Sequence, residues 1–331
     1  LLLAEFTDKL RDPLRPSLYS TLYESMKRYL NGKAEVVCAQ GCNVYAEKKM
    51  QDECNFGRPI EWVDEKQAEE EALAAAKDAD VVVCAMGELT EMSGESSSRS
   101  DLSLTAPQMS LLKKIVEMGK PVVLLNFAGR PTILSWEQEH VNAIMNVWFG
   151  GSETGDAICD VLFGDKAPCG RLVTTMPRSM GQIPIYYNHL NTGRPVAENA
   201  TKYYKFRSNY IDIHNTPLYP FGYGLTYTSF SYSDITMSDN TANITITNTG
   251  KREGTEVVQL YIQDPDAYVA RPVKELKGFE RITLQPGESK TVSFEINKQM
   301  LSYYDYNGKL TFEPGSFNIM IGPDSSKRIL R

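Results

Sequence analysis

The stretch DVVVCAMGELTEMSGESSSRSDLSL, residues 80–104, decides how the rest of the chain is read. Asp80 to Met86 is a short, nearly unbroken apolar run rich in valine, the pattern of a strand covered on both faces, as in parallel sheets. At Gly87 the run stops, and a polar loop of glycine, serine and glutamate continues until apolar periodicity resumes at Thr105. In a doubly wound sheet, ligands bind at loops leaving the carboxyl ends of strands, which places this loop for chemistry. Its candidate is Glu95. Gly94 lies on one side of it and serine hydroxyls and the Arg99 guanidinium on the other, a setting able to present and orient an acid. Acidic residues in serine-rich loops are more often simply solvated, so the weight for Glu95 has to come from the rest of the chain.

Upstream, Asp64 to Asp78 is strongly helical, with Asp64 as cap, acids in the first turns and Ala72 to Ala76 at the end. Before it, residues 41–64 lack periodicity and contain Cys54, Gly57 and Pro59, a loop pattern. Ala34 to Ala39 reads as a strand and Leu18 to Leu30 as an amphipathic helix, behind the breaks at Asp12-Pro13 and Arg15-Pro16. Downstream, Thr105 and Pro107 start a helix with Met109, Leu112 and Val116 on one face, ended by Gly119. Pro121 to Phe127 is the next strand. A short helix over Leu134 to His140 leads to a strand from Ala143 to Trp148, which Gly150-Gly151 breaks, and Ser152 is the expected cap of a helix running to Phe163. Strand and helix alternate, which predicts an α/β fold, a doubly wound α/β/α sandwich over residues 1–190.

Residues 191–225 change texture to Tyr, Asn, Gly and Pro and read as an aromatic linker. From there the period is two: Ile244 and Ile246; Val258, Leu260 and Ile262; Val292, Phe294 and Ile296; Phe317, Ile319 and Ile321. Gln285-Pro286-Gly287-Glu288 and Asn307-Gly308 are turn signals at hairpin positions. Residues 226–331 are therefore expected to form an all-β fibronectin type III-like (immunoglobulin-like) sandwich.

At 331 residues the chain has room for two domains, and 42% hydrophobic with 23% charged residues is an ordinary globular composition. A net charge of −7 speaks against nucleic acid as partner, since phosphate recognition needs clustered Lys and Arg. No apolar run approaches the ~18 residues of a membrane span. Leu1 to Phe6 is too short for a signal-peptide core. The chain does not begin with Met and reads as a mature form or a fragment. Its six cysteines do not make a disulfide scaffold, and the Cys38–Cys42 pair has no nearby histidine to complete a zinc set. Neither a cofactor nor a metal is expected.

Gly150-Gly151 ahead of a helix suggests phosphate binding, but Glu153 and Asp156 place negative charge where the phosphate would sit, and no nucleotide fingerprint occurs at a strand-to-helix turn. His140, His189 and His214 lie far apart without a G-x-S-x-G elbow, against a hydrolase triad. The aromatics of residues 203–232 read as interdomain packing ahead of a sugar-stacking platform.

Several segments resemble the C-terminal half of family 3 glycoside hydrolases, especially bacterial periplasmic β-glucosidases: GESSSRSDLSL (94–104), GRPTILSW (129–136), WFGGSETGDAICDVLFGDKAPCGRLVTTMPRSMGQIPIYYNHLNTGRP (148–195), LYPFGYGLTYTSF (218–230), NTGKREGTEVVQLYIQDP (248–265) and RPVKELKGFERITLQPGES (271–289). The resemblance implies an α/β sandwich and a fibronectin type III-like domain that normally follow an N-terminal TIM barrel, here the missing partner. The family's first sandwich strand is not recognisable ahead of Leu18. It implies Glu95 as general acid/base, with Arg99 and Asp101 supporting the loop, and a nucleophilic aspartate on the barrel, since no Ser-Asp-Trp segment occurs in this chain. Retaining glycosidases need two carboxyl groups about 5–5.5 Å apart, and one domain can supply each. In some members the proton comes from a barrel residue instead. The implied activity is exo-acting hydrolysis of terminal β-linked glucose from an oligosaccharide or β-glucoside, incomplete in this chain alone, in the periplasm or secreted, with a homodimer left open. Two alternatives stand beside it: a non-catalytic carbohydrate-binding or assembly module, and a β-xyloside or α-L-arabinofuranoside substrate.

Overall fold

Two units, Leu1–Phe163 and Gly164–Arg331, make up the chain in the computed structural model, which describes residues 2–3, 20–54, 61–197, 200–327 and 329–330. In the first unit the elements are β1 (Leu2–Leu3), α1 (Leu22–Tyr29), β2 (Cys38–Ala39), α2 (Lys48–Cys54), α3 (Glu65–Asp78), β3 (Val82–Gly87), α4 (Ala106–Glu117), β4 (Val122–Phe127), α5 (Ser135–His140), β5 (Ala143–Asn146) and α6 (Thr154–Leu162). The five strands are all parallel, in the order β2-β1-β3-β4-β5. That order reverses between β1 and β3, the topological switch point at which open α/β sheets hold their ligands. The loop after β3 leaves the sheet there.

Local chemistry accounts for the helices. Thr21 and Glu24 close a capping box on α1, with Glu24 N donating to Thr21 Oγ1 at 3.1 Å and Thr21 N to Glu24 Oε2 at 2.8 Å. Asp64 caps α3 by accepting Gln67 N at 2.9 Å. Ala68, Ala72 and Ala76 repeat every four residues and are buried, so α3 presents a stripe of small side chains to its neighbours. Helices α1 and α6 pack together, as do α3 and α4. Because successive strand side chains alternate faces, Val83 and Ala85 of β3 join Leu125 and Phe127 of β4 in the core with Leu22, Met26, Ile158 and Cys159 from α1 and α6. Both faces of the sheet are thus covered, and β3 is buried throughout.

The structure departs from the sequence reading at several places. Two residues, Leu2–Leu3, form β1 between β2 and β3, ahead of the point where no first strand was recognisable. The expected strand 34–39 shrinks to Cys38–Ala39, because β1 offers it only two partners. Residues 48–54, expected as loop, are helical; the breaks at 12–16 and Gly57 and Pro59 lie outside the described residues. The expected helix 18–30 is found as α1, its first residues likewise outside. On α4 the buried stripe is Gln108, Leu111, Leu112 and Ile115, leaving Met109 and Val116 half-buried. Ser152 does not cap α6: Glu153 occupies that position without a side-chain bond, while Thr154 Oγ1 donates to Gly151 O at 2.6 Å.

In the second unit, residues 172–176 run antiparallel to 218–223, with Leu172 N donating to Tyr223 O at 2.8 Å and Met176 N to Tyr219 O at 2.9 Å. The strands that follow are β6 (Phe230–Tyr232), β7 (Thr236–Ser238), β8 (Thr241–Asn248), β9 (Gly254–Gln263), β10 (Glu275–Leu284) and β11 (Ser289–Glu295). After the short helix α7 (Lys298–Leu301) come β12 (Tyr303–Tyr304), β13 (Leu310–Thr311), β14 (Asn318–Gly322) and β15 (Ile329–Leu330). One sheet has the order β10-β9-β14-β15 and the other β11-β8-β6, with β7 also on β8. Between them lie the period-two residues, Ile244, Ile246, Val258, Leu260, Ile262, Val292, Phe294, Ile296, Ile319 and Ile321 all buried in one cluster. Asn307-Gly308 turns the β12–β13 hairpin. Gln285–Glu288 joins β10 to β11, which belong to different sheets, so this turn crosses the sandwich and closes no hairpin.

Residues 164–225 fall within the second compact unit. Arg171 Nη2 reaches Glu256 Oε1 of β9 at 2.7 Å, with both side chains over nine-tenths buried. Phe221 stacks on Tyr187 at 4.3 Å, and Tyr187 meets Tyr261 of β9 edge-on at 5.8 Å. The aromatics of this segment are therefore spent partly on the sandwich itself.

Candidate active site

Three glutamates, Glu88, Glu91 and Glu95, share the loop after β3, and the structure gives them different surroundings. Glu88 is completely buried directly after the strand. Its Oε1 accepts Arg99 Nη1 at 3.0 Å and lies 3.1 Å from Arg130 Nε; its Oε2 accepts Arg130 Nε at 3.3 Å and Gly129 N at 3.2 Å. Its own N–H donates to Phe127 O at 2.7 Å. Two guanidiniums thus neutralise one carboxylate out of water, where removing a single partner of such a set costs about 3–5 kcal/mol.

Each arginine carries the network outward. Arg99 Nη2 donates to Ser103 O at 2.9 Å, and Arg130 Nη2 donates to the carbonyls of Ser97, at 2.8 Å, and of Met92. Asp101 accepts Ser103 N at 2.9 Å, a bond that holds its carboxyl below the usual range, helped by the Ser103 hydroxyl and the charge of Arg99. Two glycines make this close packing possible. A Cβ on Gly87, whose φ is +136°, would lie 1.8 Å from Phe127 O, and one on Gly129 would lie 1.7 Å from Ser93 Oγ.

Glu95 sits at the far side of this loop. Ser97 N donates to Gly94 O at 3.2 Å, closing a turn with Glu95 and Ser96 at its centre. Ser96 takes φ +61°, the positive value that a type II turn demands at its third residue. Glu95 is exposed and has no hydrogen bond or ion pair to the described residues. Glu91 is half-buried, with one carboxylate oxygen enclosed. Arg99 and Asp101, singled out with Glu95, lie in the same loop and bond its backbone around Ser103; neither touches Glu95.

Sequence reasoning gave no role to Glu88 or Arg130. Their signals were present: Glu88 follows the strand's last glycine, and Arg130 lies in the GRPTILSW segment quoted for the resemblance. At the same edge of the sheet, Asn126 Nδ2 donates to Asn146 Oδ1 at 2.7 Å and Thr132 Oγ1 at 2.9 Å, tying the ends of β4 and β5. Among the described residues no group of three His, Cys, Asp or Glu side chains is placed to hold a metal ion.

The chain joins a parallel α/β sheet to an antiparallel β-sandwich, and two family models match it. Residues 6–227 match the glycosyl hydrolase family 3 C-terminal domain and residues 256–325 the fibronectin type III-like domain. The chain belongs to glycosyl hydrolase family 3. It is 45% identical over 318 residues to a periplasmic beta-glucosidase of Salmonella typhimurium, covering 93% of this chain and 41% of that protein. To a beta-xylosidase of Formosa agariphila it is 36% identical, covering 94% and 40%. The crystal structure of beta-glucosidase from Listeria innocua in complex with glucose superposes with a TM-score of 0.82 at 34% identity, covering 96% of this chain and 42% of that one. The chain spans about two fifths of the length of these relatives.

Proposed function

We propose that this chain is the acid/base-bearing portion of an exo-acting retaining β-glucosidase, and that Glu95 is its general acid/base. The observation that carries the reading is the contrast within the loop: Glu88 is locked by two arginines and cannot reach a substrate, while Glu95 is free at the apex of a turn. A carboxyl group in that position can protonate a departing glycosidic oxygen and then deprotonate the incoming water. The nucleophile would come from a TIM barrel, so the chain alone is an incomplete enzyme. Membership of the family and the likeness to two β-glucosidases support glucose as the sugar. The Formosa agariphila relative favours a β-xyloside as the second reading. The name of the Salmonella relative supports a periplasmic location, and no helix among the described residues is long and apolar enough to cross a membrane.

The test uses the enzyme with its barrel, the chain alone serving as a blank that turns over no aryl β-glucoside. General acid catalysis contributes about 10²- to 10⁴-fold, and most where the leaving group is a poor anion. Glu95→Ala is expected to cut kcat/KM for cellobiose by that factor and to spare dinitrophenyl glucoside. Added azide restores its turnover and yields β-glucosyl azide. A variant equally impaired on both substrates and indifferent to azide would place the acid elsewhere.

A further inference from the structure

We infer that Glu88 is a positioning residue for general acid catalysis, its buried carboxylate setting where the Glu95 turn stands; this rests on the role of Glu95 proposed above. Glu88 is wholly enclosed and touches no substrate. What it holds is Arg130, whose Nη2 donates to the carbonyls of Met92 and Ser97, one before and one after Glu95. Arg99 extends the clamp to Ser103 O, where the loop turns back towards α4. One carboxylate therefore fixes both flanks of the Glu95 turn.

The chemistry requires a carboxylate at this point. Among the described residues every hydrogen bond of the Glu88 carboxylate is an acceptance: Arg99 Nη1 on Oε1, Gly129 N on Oε2 at 3.2 Å and Arg130 Nε on Oε2 at 3.3 Å, with Arg130 Nε also 3.1 Å from Oε1. An amide of the same shape would put an N–H₂ donor against donors in either orientation. The guanidiniums would lose their shared anchor, and the carbonyls of Met92, Ser97 and Ser103 would lose fixed donors. A shift of the turn by ~1 Å is enough for a loss on the order of 10²-fold in proton transfer.

The experiment compares Glu88→Gln, Glu95→Ala and the double variant in the barrel-containing enzyme, on cellobiose and on dinitrophenyl glucoside. E88Q is expected to lower kcat/KM for cellobiose by about 100-fold and for dinitrophenyl glucoside by less than about threefold. In E95A there is no acid left to position, so adding E88Q costs nothing more on cellobiose. Equal losses on both substrates, wild-type kinetics in E88Q, or a further loss in the double variant would overturn the positioning role. If E95A itself shows no dependence on the leaving group, the acid assignment falls and this inference falls with it. Should E88Q fail to fold, Arg130→Lys keeps the charge beside Glu88 but cannot bridge it to both carbonyls, and the same substrate dependence is expected. Failure of both variants to fold would reduce the cluster to a structural role.

Discussion

Replacing Glu137 by glutamine is expected to stabilise the first unit at neutral pH and to leave it unchanged in acid. Glu137, on α5, is 1% exposed, and its Oε1 has no hydrogen-bond partner among the described residues. Burial pushes its carboxyl up from 4.5 to about 6, against the opposing pull of its own backbone N–H and of Lys113 and His140. Between those pH values the folded chain keeps a proton that the unfolded chain has released. Stability therefore falls as pH rises through that window, and the penalty is complete above about pH 6. At ~1.4 kcal/mol for each pH unit the penalty amounts to about 2 kcal/mol at pH 7. Glutamine does not titrate. E137Q should match the parent near pH 4 and exceed it at pH 7 by a urea midpoint roughly 1 M higher, for a slope of about 1–3 kcal/mol/M. The three tryptophans, Trp62, Trp136 and Trp148, all lie in this unit, so their fluorescence follows its unfolding. Midpoints are to be compared, not raw intensities, because His140 stacks on Trp136 at 4.3 Å. An offset between the two proteins that stays constant from pH 4 to 7 would refute the reasoning.

Gly87→Ala should destabilise the first unit severely, because the new methyl group would meet Phe127 O and the backbone would carry a strained φ worth about 1–3 kcal/mol before any clash. A thermal midpoint within ~2 °C of the parent would contradict this. Thiol titration should sort the cysteines: Cys38 and Cys54 are exposed and react in the native protein, whereas Cys84 is enclosed, its thiol pushed up to about 12 by burial, and reacts only in denaturant. Rapid native labelling of Cys84 would show that β3 opens locally.

Where one residue's neighbours in sequence are also its neighbours in space, the fold was legible. The period-two residues of the sandwich all reach one core, and Asp64 caps α3 as its position implies. Helix α2, KKMQDEC, buries only Gln51, so no apolar stripe announces it. The turn at Gln285–Glu288 was visible as a chain reversal, but turn chemistry is local and does not say which sheet receives the next strand. Glu88 was hidden for the same reason: its partners are 11 residues away at Arg99 and 42 away at Arg130. Its place directly after Gly87 marks the end of the strand but does not reveal those distant partners.

The bond from Glu88 N to Phe127 O and that from Gly129 N to the Glu88 carboxylate stitch the loop to the sheet at the ends of β3 and β4. Segments that break free on their own exchange their amide hydrogens through small, frequent openings, while those bonded into a core exchange only when the whole cooperative unit lets go. The amides of Glu88 and Gly129 belong to the second kind. Such a loop is a bracket in its motions and makes a poor lid. Large displacement of the base of this loop is then left to the unit travelling as a body, on the microsecond-to-millisecond scale of domains and well below the rate of loop fluttering.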